Sequence, residues 1–456
     1  MQDIGQGVLG LKRKLAQGQM APLREILTDK DVKAACHAVG LRHRERLFTP
    51  LLTLWSFVGQ CLSPDPSCRA AVARILATYG KPTGASSGTS PYCKARLRLP
   101  ERLIEELGRT VAGRLERRVA PEQLWRGRRV RLLDGTGITT PDTPELVKAF
   151  GLPPNTKEGV GFPVAHAAGM VSWATGAVLG AAIDRLDYHE RHLGRELWPL
   201  LSPLDVLMAD AGFGSYGEIA MLLSQEVDGV YRMNGRRIVD FRRGARLGDG
   251  DHLVVWKRPA ARPQWLPEEF TLPETLVVRE IRFQVHQLGF RPKEIVLVTT
   301  LLDPVAFPKE DIAKLYRDRW EIEIDFRHIK TTMGMEPLKG KSPAMARKEI
   351  WAHLLAYNLI RTLMWEAAKR HGAAPMRLSF KGTIQRVLAW SGTMAAAPVH
   401  QLPERYRELL ARIAADIVPS RPDRVEPRCV KRRRKHYPTL GVPRPIARLR
   451  LLRKAS

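Results

Sequence analysis

The segment Tyr316-Arg-Asp-Arg319-Trp-Glu-Ile-Glu323-Ile-Asp-Phe-Arg-His-Ile-Lys330 sets four chemically competent side chains at offsets 0, 3, 7 and 14. On a helix turning about 100° per residue, Tyr316, Arg319, Glu323 and Lys330 fall within roughly 60° of one another. Asp318, Glu321 and Asp325 turn to the far side. One stripe then carries an aromatic hydroxyl, a guanidinium, a carboxylate and an ammonium. A carboxylate able to ligate a metal and flanked by cations suits a polyanion that arrives with divalent ions. The same spacing also reads as a solvated face with an i,i+4 ion pair between Arg319 and Glu323. The stripe therefore needs partners elsewhere in the chain.

Two stretches upstream supply them. Arg128-Arg-Val-Arg-Leu-Leu-Asp134-Gly reads as a short strand ending in aspartate and glycine, and so does Asp205-Val-Leu-Met-Ala-Asp210-Ala-Gly. In open α/β sheets, sites form at the carboxyl ends of strands. That selects Asp134 and Asp210 and rejects Asp205, at a strand's entry. Three converging carboxylates raise one another's pKa unless cations neutralise them. Their oxygen donors favour Mg²⁺, with Mn²⁺ as a substitute. Two such ions about 3.5–4 Å apart could activate a water or a 3′-hydroxyl and stabilise the leaving oxygen at a phosphodiester.

These residues need a scaffold that brings two strand ends and a late helix together. The chain reads as α/β. Residues 1–120 are expected to form an N-terminal helical, DNA-binding domain, with helices over Phe48–Leu62 and Cys68–Tyr79 and a basic helix from Ser90. Residues 127–236 alternate strands and helices: a hairpin over 160–183, a helix over 190–200, a helix over 215–226 and a strand over 229–233. Residues 237–294 read as a β-rich insertion with short strands at Ile238–Phe241, His252–Trp256 and Thr275–Gln284. A strand over 294–301 leads to the helix of the opening, so 295–344 closes the core. A long helix over 343–370 and shorter ones near 376–391 and 403–417 make 345–418 a C-terminal helical region. The tail, 419–456, carries 13 Lys/Arg and two acidic residues from Arg421 to Lys454 and is expected to be extended or wrapped on a partner.

Composition narrows the partner. The 456 residues include 74 Lys+Arg against 47 Asp+Glu, a net charge of +27, which points to nucleic acid or an anionic membrane surface. The longest uncharged window, Gly159 to Ile183, contains Pro163 and several glycines and divides at Trp173-Ala-Thr-Gly176. It fits two buried strands better than a membrane span, which leaves nucleic acid. Five cysteines with no C-x-x-C pair favour a reducing cytosol over a structural zinc site. Lys12, Arg13 and Lys14 precede no apolar run of the secretory kind.

Three lookalikes are set aside. Gly334-Met-Glu-Pro-Leu-Lys-Gly340-Lys341-Ser342 has one residue too many for a P-loop and follows a helix, so no nucleotide cofactor is expected. His189-Glu-Arg-His192 has the wrong spacing for paired zinc ligands and reads as a helix start. The basic run 431–435 is assigned to phosphate contact.

The chain resembles the DD-E insertion-sequence transposases of the insertion-sequence-four group. The helix matches that group's Y-x2-R-x3-E-x6-K signature at Tyr316, Arg319, Glu323 and Lys330, and Leu133-Asp134-Gly-Thr and Ala209-Asp210-Ala-Gly-Phe are similar to its two aspartate motifs. Ser90-x-Tyr92-x-x-Ala95-Arg96-x-x-Leu99, Leu354-Leu-Ala-Tyr-Asn-Leu-Ile-Arg361 and Glu426–Pro438 extend the likeness to nearly the whole chain. The resemblance implies an RNase H-like core interrupted by the β insertion before the glutamate, with Asp134, Asp210 and Glu323 as catalytic metal ligands. Tyr316, Arg319 and Lys330 would hold DNA phosphates. It further implies cutting of double-stranded DNA at terminal inverted repeats, joining of 3′-OH ends to target DNA, a homodimer on DNA, and a cytoplasmic, nucleoid-associated protein. One position departs from the pattern. Relatives that form a DNA hairpin carry a tryptophan where this chain has Ile295, and Trp256 and Trp265 read as core or turn aromatics. A nuclease or resolvase without strand transfer, or a catalytically silent DNA-binding protein, are the alternatives.

Overall fold

The computed structural model describes residues 20–42, 47–79, 88–156, 159–235, 237–285, 293–419 and 440–454. Apolar runs separated by glycine-containing turns build one nine-stranded sheet. The strands are β1 (Val130–Thr139), β2 (Val164–Ser172), β3 (Val178–Asp184), β4 (Val206–Ala209), β5 (Asp228–Arg232), β6 (Ala245–Gly248), β7 (Asp251–Lys257), β8 (Thr275–Val285) and β9 (Lys293–Thr299). Their order is β3-β2-β1-β4-β5-β9-β8-β7-β6. β1 pairs antiparallel with β2 and parallel with β4, and β4 pairs parallel with β5. The arm β3-β2-β1-β4-β5 is the RNase H-like arrangement. β9 returns antiparallel to β5, so β6, β7 and β8 extend the same sheet. The segment 237–294 is thus β-rich, and it lengthens the core sheet instead of forming a sheet of its own.

Helices cover both faces. In the described N-terminal part these are α1 (Ala21–Arg24), α2 (Asp29–Ala38), α3 (Pro50–Leu62), α4 (Cys68–Tyr79), α5 (Ser90–Arg98) and α6 (Glu101–Glu116). α7 (Pro144–Phe150) follows β1, α8 (Glu190–Glu196) follows β3, and α9 (Tyr216–Ser224) follows β4. After β9 come α10 (Lys309–Asp318), α11 (Trp320–Arg327), α12 (Pro343–His371), α13 (Phe380–Ala396), α14 (Leu402–Ala414) and α15 (Arg444–Lys454). Alternation along β1 sends Leu132 into a core shared with α6, α11 and α12, and Leu133 into a second core with α8 and α9. Leu103, Ile104, Leu107, Val111 and Leu115 of α6 repeat at three- and four-residue spacing and pack on α12. Gly108 brings the two backbones close, since a Cβ there would lie 3.9 Å from the Leu355 Cα.

α12 is buried on nearly every side, so its polar groups must find protein partners. Asn358 accepts from the Val178 N–H (2.9 Å) and donates to the Val178 and Gly108 carbonyls (2.8 and 3.2 Å). Tyr357 donates to the Gly176 carbonyl at 2.9 Å. Arg361 donates to the Tyr357 oxygen at 2.7 Å and pairs with Asp325 of α11. One helical turn of α12 thereby fastens α6, the β2–β3 turn and the signature helix.

Several expectations change. β1 does not end at Asp134 but runs on to Thr139, because 134–139 still pairs with β2; what ends there is the parallel ladder, whose last pair is Leu133 with Ala209. The signature segment is not one regular helix. The Arg319 N–H bonds to the Tyr316 carbonyl and the Ile322 N–H to the Arg319 carbonyl, tightening the turn between α10 and α11. Past Arg327 the ladder widens to a π turn over His328–Thr332, closed by Met333 N–H to His328 O at 2.9 Å. No strand forms at Ile238–Phe241: Asp240 accepts from the Arg242 backbone and side chain and folds a turn, and β6 starts only at Ala245. In the tail, Arg444–Lys454 is helical instead of extended, with Pro445 in the first turn, where its missing N–H costs nothing. Its Leu449, Leu451 and Leu452 are exposed. Lys12–Lys14, residues 81–87, the basic run 431–435 and Glu426–Pro438 lie outside the described residues.

The side chains of Asp325 and Arg361 are 1% and 5% exposed. Asp325→Ala leaves a buried guanidinium without its counter-charge and is expected to cost about 3–5 kcal/mol, whereas Asp325→Leu with Arg361→Met recovers most of that loss. Urea unfolding of the two variants measures the difference.

Candidate active site

Two registers place the aspartates. Because Leu133 and Ala209 are the final parallel pair, Asp134 and Asp210 follow on neighbouring strands at the same level of the sheet. Both share the parity of Leu132 and Met208, and so face the core that holds Ile322 and Ile329 of the signature segment. Asp134 lies opposite Gly169 of β2, where a Cβ would sit 3.0 Å from the Phe326 ring. The bare glycine lets α11 settle against the sheet beside Asp134. Each aspartate also accepts from the N–H that follows it, Gly135 at 2.9 Å and Ala211 at 2.8 Å.

Arg319 joins the helix to the sheet. Its Nη1 lies 3.2 Å from Asp134 Oδ2 and its Nη2 3.2 Å from Glu323 Oε1. Burial pulls the Arg319 pKa down, but the surrounding Tyr316, Asp134, Asp210 and Glu323 outweigh it and hold the value above the ordinary one. Tyr316 is buried, which pushes its hydroxyl up to about 12. Asp134 is pushed up to about 6, first by burial and then by Glu190 and Glu323, against the opposing pull of Arg319 and the Gly135 N–H.

Lys330 reaches the same strand about two turns beyond Glu323. Its Nζ donates to the Gly137 carbonyl (2.7 Å) and Thr136 Oγ1 (3.3 Å) and pairs with Glu336 Oε2 at 2.9 Å. The structure therefore brings Asp134, Glu323 and Arg319 into direct contact, sets Asp210 and Tyr316 beside them, and holds Lys330 along β1. Asp205 instead pairs with Arg131 at 3.1 Å, a buried structural link.

Three residues here were not read from sequence. Glu190, at the start of α8, lies over Gly135, where a Cβ would meet its Oε1 at 1.8 Å; no spacing marks it. Glu336 accepts from the Thr139 N–H at 3.1 Å and holds Lys330. Arg361 stood within Leu354–Arg361, but nothing there named Asp325 as its partner. The lookalikes resolve locally. The Lys339 and Gly340 N–H groups point to Glu349 (3.0 and 2.7 Å), and the His189 ring caps α8 by accepting from the Arg191 N–H at 3.3 Å.

The donors of Asp134, Asp210, Glu323 and Glu190 are all carboxylate oxygen, which fits a hard divalent cation. Among the described residues, no three His, Cys, Asp or Glu side chains stand close enough to hold an ion as they are. The Arg319 guanidinium lies between Asp134 and Glu323.

A raised carboxyl pKa adds stability that is fully present below the ordinary value and is lost as pH rises through about 6. Asp134→Asn lacks this dependence. In metal-free buffer its stability relative to the wild type is expected to be greater at pH 8 than at pH 5, by about 1–1.5 kcal/mol, as measured by urea unfolding at both pH values.

The chain is similar to known proteins. A family model described as "Transposase DDE domain" matches residues 125–359. The transposase InsG for insertion sequence element IS4 of Escherichia coli (strain K12) is 29% identical over 410 residues, covering 87% of this chain and 88% of that protein. The transposase for insertion sequence element IS421 of Escherichia coli is 26% identical over 265 residues, 51% of this chain and 65% of that protein. Among solved structures, the cryo-EM structure of the piggyBac transposase synaptic complex with hairpin DNA aligns with a TM-score of 0.47 at 11% identity, over 88% of this chain and 85% of that chain. No helix among the described residues is long and apolar enough to cross a membrane. Enzymes with this domain act on DNA with divalent metal ions, and the chain belongs to the DDE transposases, as a DNA transposase of the insertion-sequence-four type.

Proposed function

We propose that the chain cuts the terminal inverted repeats of its own insertion sequence and joins the freed 3′-OH ends to target DNA, acting as a homodimer on DNA in the cytoplasm, on the nucleoid. The observation that carries this reading is the convergence of Asp134, Asp210 and Glu323 around Arg319, from two neighbouring strands and a helix far apart in sequence. Asp134, Asp210 and Glu323 are the residues that would hold two Mg²⁺ ions, or Mn²⁺ in their place. The chemistry such ions supply is activation of the attacking oxygen and stabilisation of the leaving one.

The chain's own residues account for the rest. Tyr316, Arg319 and Lys330 are assigned to the phosphates beside the cut. Arg319 offers a planar fork suited to a phosphate, and Lys330 a point charge. Glu336 fixes Lys330 against β1 and so sets where that charge meets the backbone of the DNA. The described N-terminal helices and the basic C-terminal part are assigned to binding outside the cut, where the excess of Lys and Arg neutralises phosphates.

Glu323→Gln is expected to reduce cleavage of terminal-repeat DNA at least 1,000-fold, on the order of the loss of a group needed only in the transition state, and to change DNA affinity less than threefold. Gel assays of cleavage and of binding separate the two, and a variant that still cuts removes Glu323 from the site. With the wild type, products carrying the excised end covalently linked to a target plasmid are expected. Cleavage without such products would make the chain a nuclease.

A further inference from the structure

The carboxylates of Asp134 and Glu323 are already neutralised, in part, by a residue of the chain itself. Arg319 gives one nitrogen to each at 3.2 Å, and its own side chain is only 13% exposed. A guanidinium does not lose its proton in proteins, so the charge leaves this place only if the side chain moves. Asp134 and Glu323 would hold a divalent ion through the carboxylate oxygens that the two nitrogens now contact. The two cations exclude one another.

We propose that Arg319 is the resident counter-ion of the carboxylate site, and that a DNA phosphate draws it away, so that the site takes up its divalent ions after DNA has bound. This rests on the reading of Asp134 and Glu323 as metal ligands, and adds to it an order of events and the residue that imposes it. The fork that bridges two carboxylates fits the oxygens of a phosphodiester equally well. DNA thus offers Arg319 an alternative partner, and the vacated carboxylates are left with an uncompensated negative charge. Lys330 does not compete for the same place, because Glu336, Thr136 and Gly137 hold it. Coupling of this kind is reciprocal: what DNA does for metal affinity, metal does for DNA affinity. Without DNA, the carboxylates hold a cation that cannot activate water, which restrains cutting away from the substrate.

The test is Mn²⁺ binding to the full chain, read from the electron paramagnetic resonance signal of free Mn²⁺ at pH 8, where Asp134 is ionised. In the absence of DNA, Arg319→Gln is expected to bind Mn²⁺ about tenfold tighter than the wild type. Arg319→Lys keeps the charge on a stem that cannot bridge both carboxylates. It is expected to bind about threefold tighter, and serves if the first variant does not fold. Adding Asp134→Asn to either should return binding to the wild-type level or below. A duplex carrying the terminal repeat should tighten Mn²⁺ binding in the wild type, after subtraction of the signal from a Glu323→Gln complex, and should do so far less in Arg319→Gln. Both Arg319 variants binding Mn²⁺ no tighter than the wild type, or an undiminished DNA effect in Arg319→Gln, overturns the exchange. The metal reading fails separately, and takes this proposal with it, if Asp134→Asn and Glu323→Gln leave Mn²⁺ binding unchanged in every background.

Discussion

The buried pair of Asp325 and Arg361 is the constraint on which the rest of the site depends. α11 presents Glu323 to the sheet on one side and Asp325 to α12 on the other, two residues apart. Arg361 is itself held by Tyr357, and Tyr357 by the β2–β3 turn, so the helix is fixed relative to the sheet through α12 and not only through its own contact with β1. A charge pair with so little exposure is costly to desolvate and gains little net stability. What it does supply is a single position for the helix, because moving either element would leave a buried charge without its counter-charge.

The local geometry of the signature segment follows from the same demand. A regular helix would place Tyr316, Arg319, Glu323 and Lys330 along one stripe, but a stripe is straight and β1 is twisted. The segment tightens at Arg319 and widens into a π turn at His328. Departures of this kind are frequent where function fixes several side chains at once. Here they carry Lys330 to Gly137 and Glu336 while Arg319 stays at Asp134.

Much of this was legible in the residues. Asp210 at the end of β4 and the boundaries of α12 rest on local periodicity and on where glycine follows a strand. The extent of β1 was not legible, because its second half is ordered by β2, more than twenty residues later, and 134–139 is rich in glycine and threonine. Glu190 and Glu336 were invisible for a related reason. Each acts on a residue distant in sequence, and a single glutamate near a turn carries no mark of its partner. The strand expected at Ile238–Phe241 failed because a side chain, Asp240, outcompeted the sheet for the backbone N–H. The helical end at Arg444–Lys454 was hidden behind its charge: Arg, Leu and Lys form helices readily, and Pro445 falls where the helix begins.

Gly169 has a consequence for how this protein can vary. The missing side chain opposite Asp134 is the space into which Phe326 fits, so the separation between helix and sheet is written jointly by one residue from each. Together they act as a spacer of fixed thickness beside Asp134. Enlarging one without trimming the other would tilt the whole bearing of α11, whereas a matched exchange would leave the carboxylates where they are. Drift in the lineage should therefore pass through this pair in step, strand and helix changing together or not at all.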